Sequence, residues 1–186
     1  MTEPAGRILL VEDTPTQAEV AKAMLATMGH EVRHAATGAQ ALAIAQEWPP
    51  DAVLVDLDLP DFSGFEVMRR LKARGSKAAL IVLTVNNSVD TVVEAMREGA
   101  MDFIAKPYGK ARLKVTLDNA LENRALRAEL TAVKEQLSGF VAAAASPPPR
   151  RHGGDRASPL RYAIGALIFL AAVLGLFFIA GFSFGP

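Results

Sequence analysis

The 186-residue sequence has no cysteine, which excludes disulfides and thiolate metal sites and accords with a reducing compartment. It has no charge imbalance either. Its 20 basic and 20 acidic side chains cancel, so no general electrostatic attraction for nucleic acid is expected. The short polar start, MTEPAGR, lacks an apolar run, and no secretory signal peptide is expected. Histidine is scarce. His30 and His34 lie around one expected strand and His152 among arginines, and none is expected to ligate a metal or carry phosphate. Trp48, the single tryptophan, stands before Pro49-Pro50 and is expected to pack at a helix end.

What is present is an alternation of short apolar runs and helical patterns. RILLV (7–11), EVRHA (31–35), AVLV (52–55), ALIVL (79–83) and DFIA (102–105) read as strands. Between them, helices are expected over 15–28, 38–47, 64–74 and 88–98, three of them stopped by Gly29, Gly75 and Gly99. Ser88 suits the N-cap of the fourth. Five such units predict an α/β fold, a doubly wound, five-stranded parallel sheet. This α/β body is expected over 1–120.

A fifth helix begins near Lys110 and its pattern runs to about Leu137. Asn119, Asn123, Leu126, Leu130, Val133, Leu137 and Phe140 alternate by four and three, as in a coiled coil. Two readings stand: self-pairing in a homodimer, with Asn123 fixing the register, or an amphipathic helix lying on its own sheet. The segment 138–160 is rich in Ala, Pro, Gly and Arg and reads as a flexible linker.

From Tyr162 to Phe184 no residue is charged. About 23 residues at 1.5 Å each give roughly 34 Å, enough to cross a bilayer core of about 30 Å. Arg150, Arg151, Arg156 and Arg161 precede the run, so a single-pass transmembrane helix over 161–184 is expected, with the N-terminal body in the cytoplasm. Ala171 with Gly175, and Gly181 with Gly185, are small-residue pairs that could bring two spans together.

The stretch DAVLVDLDLPDFSG (51–64) crowds Asp56, Asp58 and Asp61 at a strand end, where like charges oppose ionisation. Parallel strands put their carboxyl ends on one edge, so Glu12-Asp13, Asp56, Thr84 and Lys106 converge there. A hard divalent cation, Mg²⁺, would offset the crowded carboxylates and leave Asp56 ionised as a nucleophile. Asp61, beside Pro60, reads only as a turn residue.

These residues resemble the receiver domain of bacterial response regulators. The resemblance covers 7 to about 120 and rests on Glu12-Asp13, Asp56 with LDLPDFSG after it, Thr84, and Lys106-Pro107. LTVNNSVDTVVEAMREGAMDFIAKP and the long fifth helix look most like the nitrogen-regulator class. The resemblance implies the flavodoxin-like strand order 2-1-3-4-5 and a phosphoryl group taken by Asp56 from a sensor histidine kinase or a small donor. It implies Mg²⁺ held by Glu12, Asp13, Asp56 and the backbone carbonyl of Asp58. Lys106 would contact the phosphoryl oxygens, and Thr84 and Phe103 would act as switch residues. The family usually has Ala or Gly after the threonine; Val85 stands there, and slower phosphotransfer and dephosphorylation are expected from it.

The expectation is therefore a receiver in a two-component phosphorelay, anchored in the bacterial inner membrane. Two alternatives are a membrane scaffold independent of phosphate and a phosphate sink. No metabolic activity and no DNA binding are expected.

Overall fold

A computed structural model describes residues 6–86 and 88–145, with side-chain surroundings through 139. The chain divides into two units between Val141 and Ala142, and the description below concerns the first.

The element order is β1 (Arg7–Val11), α1 (Pro15–Thr27), β2 (Glu31–Ala35), α2 (Gly38–Glu47), β3 (Ala52–Asp56), α3 (Gly64–Ala73), β4 (Ala79–Thr84), α4 (Val89–Arg97), β5 (Asp102–Ala105) and α5 (Lys110–Ala145). The strands form one sheet in the order β2-β1-β3-β4-β5, as expected. Every pairing is parallel; Leu10 lies opposite His34 and Leu54, and Val55 opposite Val82. The winding reverses beside β1, so a crevice opens at the carboxyl ends of β1 and β3.

Strand alternation divides the apolar residues between two cores. Leu9, Val11, Val53, Val55 and Val82 face one side, where α2 and α3 supply Leu42, Val67, Met68 and Leu71. Ile8, Leu10, Leu54, Ile81 and Leu83 face the other, against Ala18 and Leu25 of α1 and Leu113 and Leu117 of α5. Burying each such leucine or valine contributes about 1.5–3 kcal/mol. With both faces covered, the central strands have no room for polar residues until they reach the edge.

Local signals set the helix ends. Pro15 opens α1, where a missing N–H costs nothing. Thr37, Ser63 and Ser88 accept a hydrogen bond from the backbone of Gln40, Glu66 and Thr91 and so cap α2, α3 and α4. α3 and α4 are followed by Gly75 and Gly99, whose φ angles of 77° and 90° disfavour any side chain. Trp48 is buried at the end of α2, with the Arg33 guanidinium 4.8 Å above its ring.

One boundary needs correction. α5 continues to Ala145, so 138–145 are helical rather than linker. The alanines there have the highest helix propensity, and Pro147 follows closely. Of the two readings of this helix, the part beyond Leu121 does not lie on the sheet: Leu126, Leu130, Val133 and Leu137 are all more than half exposed. Among the described residues no helix is long and apolar enough to cross a membrane. The span expected at 161–184, and residues 146–160 of the expected linker, lie outside them.

Candidate functional site

Four strand ends meet at one edge of the sheet. β1 runs into Glu12 and Asp13, β3 ends on Asp56, β4 ends on Thr84, and β5 is followed by Lys106. Glu12, Asp56 and Thr84 are buried at 1%, 7% and 2% exposure, while Asp13 is open to solvent. The sequence expectation thus places these residues together.

The cation among the carboxylates is Lys106. Its Nζ lies 2.5 Å from Glu12 Oε2 and 2.5 Å from Asp56 Oδ2, with the side chains of all three nearly closed off from water. Burial is the largest single influence on Lys106 and pulls its pKa down. The hydrogen bonds and charges of Asp56 and Glu12 together outweigh it and hold the ammonium above its ordinary value. The other oxygens are also engaged. Asp58 N–H donates to Asp56 Oδ1 at 3.2 Å, and Thr14 N–H to Glu12 Oε1 at 3.3 Å. A charge triad this buried is tolerated because each member is paired and hydrogen-bonded.

Oxygens of Glu12, Asp13 and Asp56 lie within 4.8 Å of one another. An all-oxygen donor set with surplus negative charge fits a hard divalent ion such as Mg²⁺. The backbone N–H of Asp58 faces Asp56, and its side chain is exposed.

Thr84 is engaged with the loop that follows β4. Its hydroxyl donates to the carbonyl of Asn86 and accepts from the same residue's N–H, both at 3.0 Å. Phe103 is half-buried against the core that carries Val55 and Val82. Val85 is 67% exposed and lines a groove of about 450 Å³ with Thr16, Gln17, Val20, Lys106 and Tyr108.

Two residues do more than their sequence positions suggest. Asp61 is not merely a turn residue: its carboxylate accepts from Gly38 N–H at 2.9 Å and Ala39 N–H at 2.8 Å, at the start of α2. Desolvation is the largest single influence and pushes its pKa up, but those bonds and one from Phe62 N–H together outweigh it, so the carboxyl sits below its usual range. Asp61 thereby ties the loop after Asp56 to a neighbouring helix. His34, expected from the sequence to lie away from the site, is joined to it: its Nε2 donates to the carbonyl of Glu12 at 2.8 Å, which fixes a proton on that nitrogen. Tyr108, not singled out in the sequence, borders the groove beside Lys106. Burial pushes its phenol up, Lys106 pulls it down, and the carboxylates of Glu12 and Asp56 add to the rise.

Gly64 opens α3 directly beneath the site. A Cβ there would fall 2.2 Å from the carbonyl oxygen of Asp56 and 3.0 Å from Leu57 Cα, so α3 approaches the end of β3 only because this side chain is absent.

Comparison with known proteins gives a consistent result. The family model described as "Response regulator receiver domain" matches residues 8–118. The regulatory protein LuxO of Vibrio vulnificus is 38% identical over 112 residues, which cover 60% of this chain and 25% of that protein. The Escherichia coli regulatory protein AtoC is 29% identical over 133 residues, covering 72% and 29%. The chain thus spans about a quarter of the length of these relatives. Among solved structures, the signal receiver domain of a LuxO repressor protein from Vibrio parahaemolyticus superposes with a TM-score of 0.65 at 30% identity, over 68% of this chain and 98% of that one. NtrX from Brucella abortus gives 0.67 at 28% identity, over 73% and 30%.

Proposed function

The chain belongs to the response regulator receiver family, and we propose that it accepts a phosphoryl group on Asp56 in a two-component relay while tethered to a membrane. The observation that carries this reading is the buried carboxylate pair Glu12 and Asp56 bridged by Lys106, with Asp13 beside it.

In the proposed reaction, a carboxylate oxygen of Asp56 attacks phosphorus on a phosphohistidine of a sensor kinase. A P–O bond forms, the P–N bond breaks, and the departing imidazole keeps the electron pair and takes a proton from solvent. Asp56 attacks as a carboxylate, with the Lys106 ammonium beside it as counter-charge. Lys106 then follows the negative charge onto the phosphoryl oxygens as a point cation. Glu12, Asp13, Asp56 and the Asp58 carbonyl would hold Mg²⁺, which supplies charge stabilisation for the transferring group. His34 and Thr14 steady Glu12.

The new phosphoryl group carries up to two negative charges and attracts the Thr84 hydroxyl. Thr84 would leave Asn86 and turn inward, and Phe103 would fill the space it vacates. The face formed by α4, β5 and α5 changes as a result. The exposed stripe on α5 supports a homodimer that responds to that change. The uncharged run 162–184 with its arginine flank supports a single span in the bacterial inner membrane, the receiver cytoplasmic. Tethering would raise the receiver's effective concentration near membrane-bound kinases. The protein is read as a signalling acceptor, with no catalysis beyond its own phosphorylation and its reversal.

The test is incubation of the full chain with an acyl phosphate donor, with and without Mg²⁺, followed by intact-mass measurement. One phosphoryl group should appear on the native protein only with Mg²⁺, and none on Asp56→Asn. Equal labelling of Asp56→Asn would refute the assignment.

A further inference from the structure

At the sheet edge opposite Asp56, where β4 begins, the body and the emerging α5 enclose a groove of about 760 Å³. Its lining carries five cationic side chains, Lys72, Lys77, Arg124, Arg127 and Lys134, against one carboxylate, Glu135. In a chain with no net charge this is a strong local imbalance. Lys77, Arg127 and Lys134 are exposed and form no ion pair among the described residues. Arg124 is only partly used: its Nη2 meets Asp51 Oδ1 at 3.0 Å, while its Nε is buried with no hydrogen-bond partner. Between these cations the surface is apolar, with Leu80, Met101 and Ala128.

We propose that this groove docks the receiver onto an anionic membrane surface, its cations taking lipid headgroup phosphates while the apolar floor meets the acyl boundary. The charge pattern selects an anionic amphiphile, and the chain's own linker, with Arg150, Arg151, Arg156 and Arg161, has the wrong sign to occupy it. The chain also leaves by this edge. Strands and helices run in opposite senses, so α5 starts near Lys106 and departs beside the groove. Residues 146–161, 16 in number, separate the end of α5 from the uncharged run that begins at Tyr162. The inference rests on the membrane placement proposed above and adds a contact that does not involve that run. Docked in this way, the receiver would hold the Asp56 edge away from the bilayer and open to a kinase.

The fragment 1–141 permits the test without the apolar run. Both cores close within residues 8–121. A solved receiver domain matched over 98% of its length exists as that domain alone. Vesicles of phosphatidylcholine are compared with vesicles containing about 30% phosphatidylglycerol by co-sedimentation at low and high salt. The fragment is expected on anionic vesicles only, and to be released by salt. The triple variant Lys77→Gln, Arg127→Gln, Lys134→Gln should bind about a hundredfold more weakly, since each cation near the surface is worth about fivefold. Equal binding to neutral vesicles, or undiminished binding of the triple variant, would overturn docking. So would vesicles left unbound while inorganic phosphate or an acidic peptide occupies the groove. Acyl-phosphate labelling of Asp56 on the same samples separates the two claims: loss of vesicle binding with labelling intact sinks the groove alone.

Discussion

Replacing Lys106 by methionine removes the ammonium and leaves two carboxylates facing each other in a closed site. The side chains involved are 7%, 1% and 10% exposed for Lys106, Glu12 and Asp56, so water screens them little. Breaking a buried pair by deleting one partner typically costs about 3–5 kcal/mol. The repulsion released agrees: two unit charges within 4.8 Å, at an effective dielectric near 20, oppose each other by about 3.5 kcal/mol. Lys106→Met should therefore lose about 3–5 kcal/mol of stability in chelator, read from urea unfolding of fragment 1–141. Magnesium should return part of it. A divalent ion at about a hundred times its dissociation constant adds about 2.7 kcal/mol. The variant should bind it more tightly than the native protein, whose Lys106 repels it. The gap between the two proteins should shrink by at least about 1 kcal/mol when Mg²⁺ replaces chelator. A gap that Mg²⁺ leaves unchanged, or a loss in chelator under about 1 kcal/mol, would show that Lys106 is not the counter-ion of these carboxylates.

The remaining expectations follow from other parts of the site. Both Lys106 and Tyr108 have pKa values raised above their ordinary 10.5 and 10.0, so their contribution is complete below about pH 10 and lost as pH rises through the folded values. Stability should fall with alkalinity less steeply in Tyr108→Phe, a difference measurable by denaturant titration at several pH values. Asp61→Ala should cost about 1 kcal/mol at neutral pH; because the carboxyl pKa is depressed, this difference should vanish as pH falls below the ordinary 3.8 and through the folded value. Gly64→Ala presses a methyl against backbone that cannot rotate away, so about 1–3 kcal/mol of stability should be lost and Asp56 labelling slowed. Unchanged labelling there would mean that the end of β3 does not need its present position. Val85→Ala should speed both labelling by acyl phosphate and loss of the label; equal rates in both proteins would remove the gating role.

Much of this molecule could be read from its sequence because the signals were local. ILLV (8–11) and AVLV (52–55) are apolar without interruption since both faces of the sheet are covered, and the acids after them mark where cover ends. Gly75, Gly99 and Ser88 punctuate helices by conformations and hydrogen bonds spanning only a few residues. What escaped were partners distant along the chain. Asp61 reaches Gly38 across 23 residues, and His34 reaches the Glu12 carbonyl across 22, a meeting that depends on the register of β1 with β2. The crowded carboxylates announced positive charge, and both Lys106 and a metal were expected at this edge; that Lys106 bridges Glu12 and Asp56 directly depends on side-chain reach rather than on spacing. The extent of α5 was underestimated because alanine helices carry no apolar stripe to count.

The hydroxyl of Thr84 gives the resting protein a restraint of its own. With its proton on the Asn86 carbonyl and its lone pair on the Asn86 amide, it would have to surrender two bonds to serve the proposed phosphorylated state. At about 1 kcal/mol each, those bonds act as a threshold that stray thermal excursions seldom clear. Silence in the absence of a stimulus would then be set by the backbone of a single loop residue, and the sharpness of the response could be tuned without touching the acceptor at all.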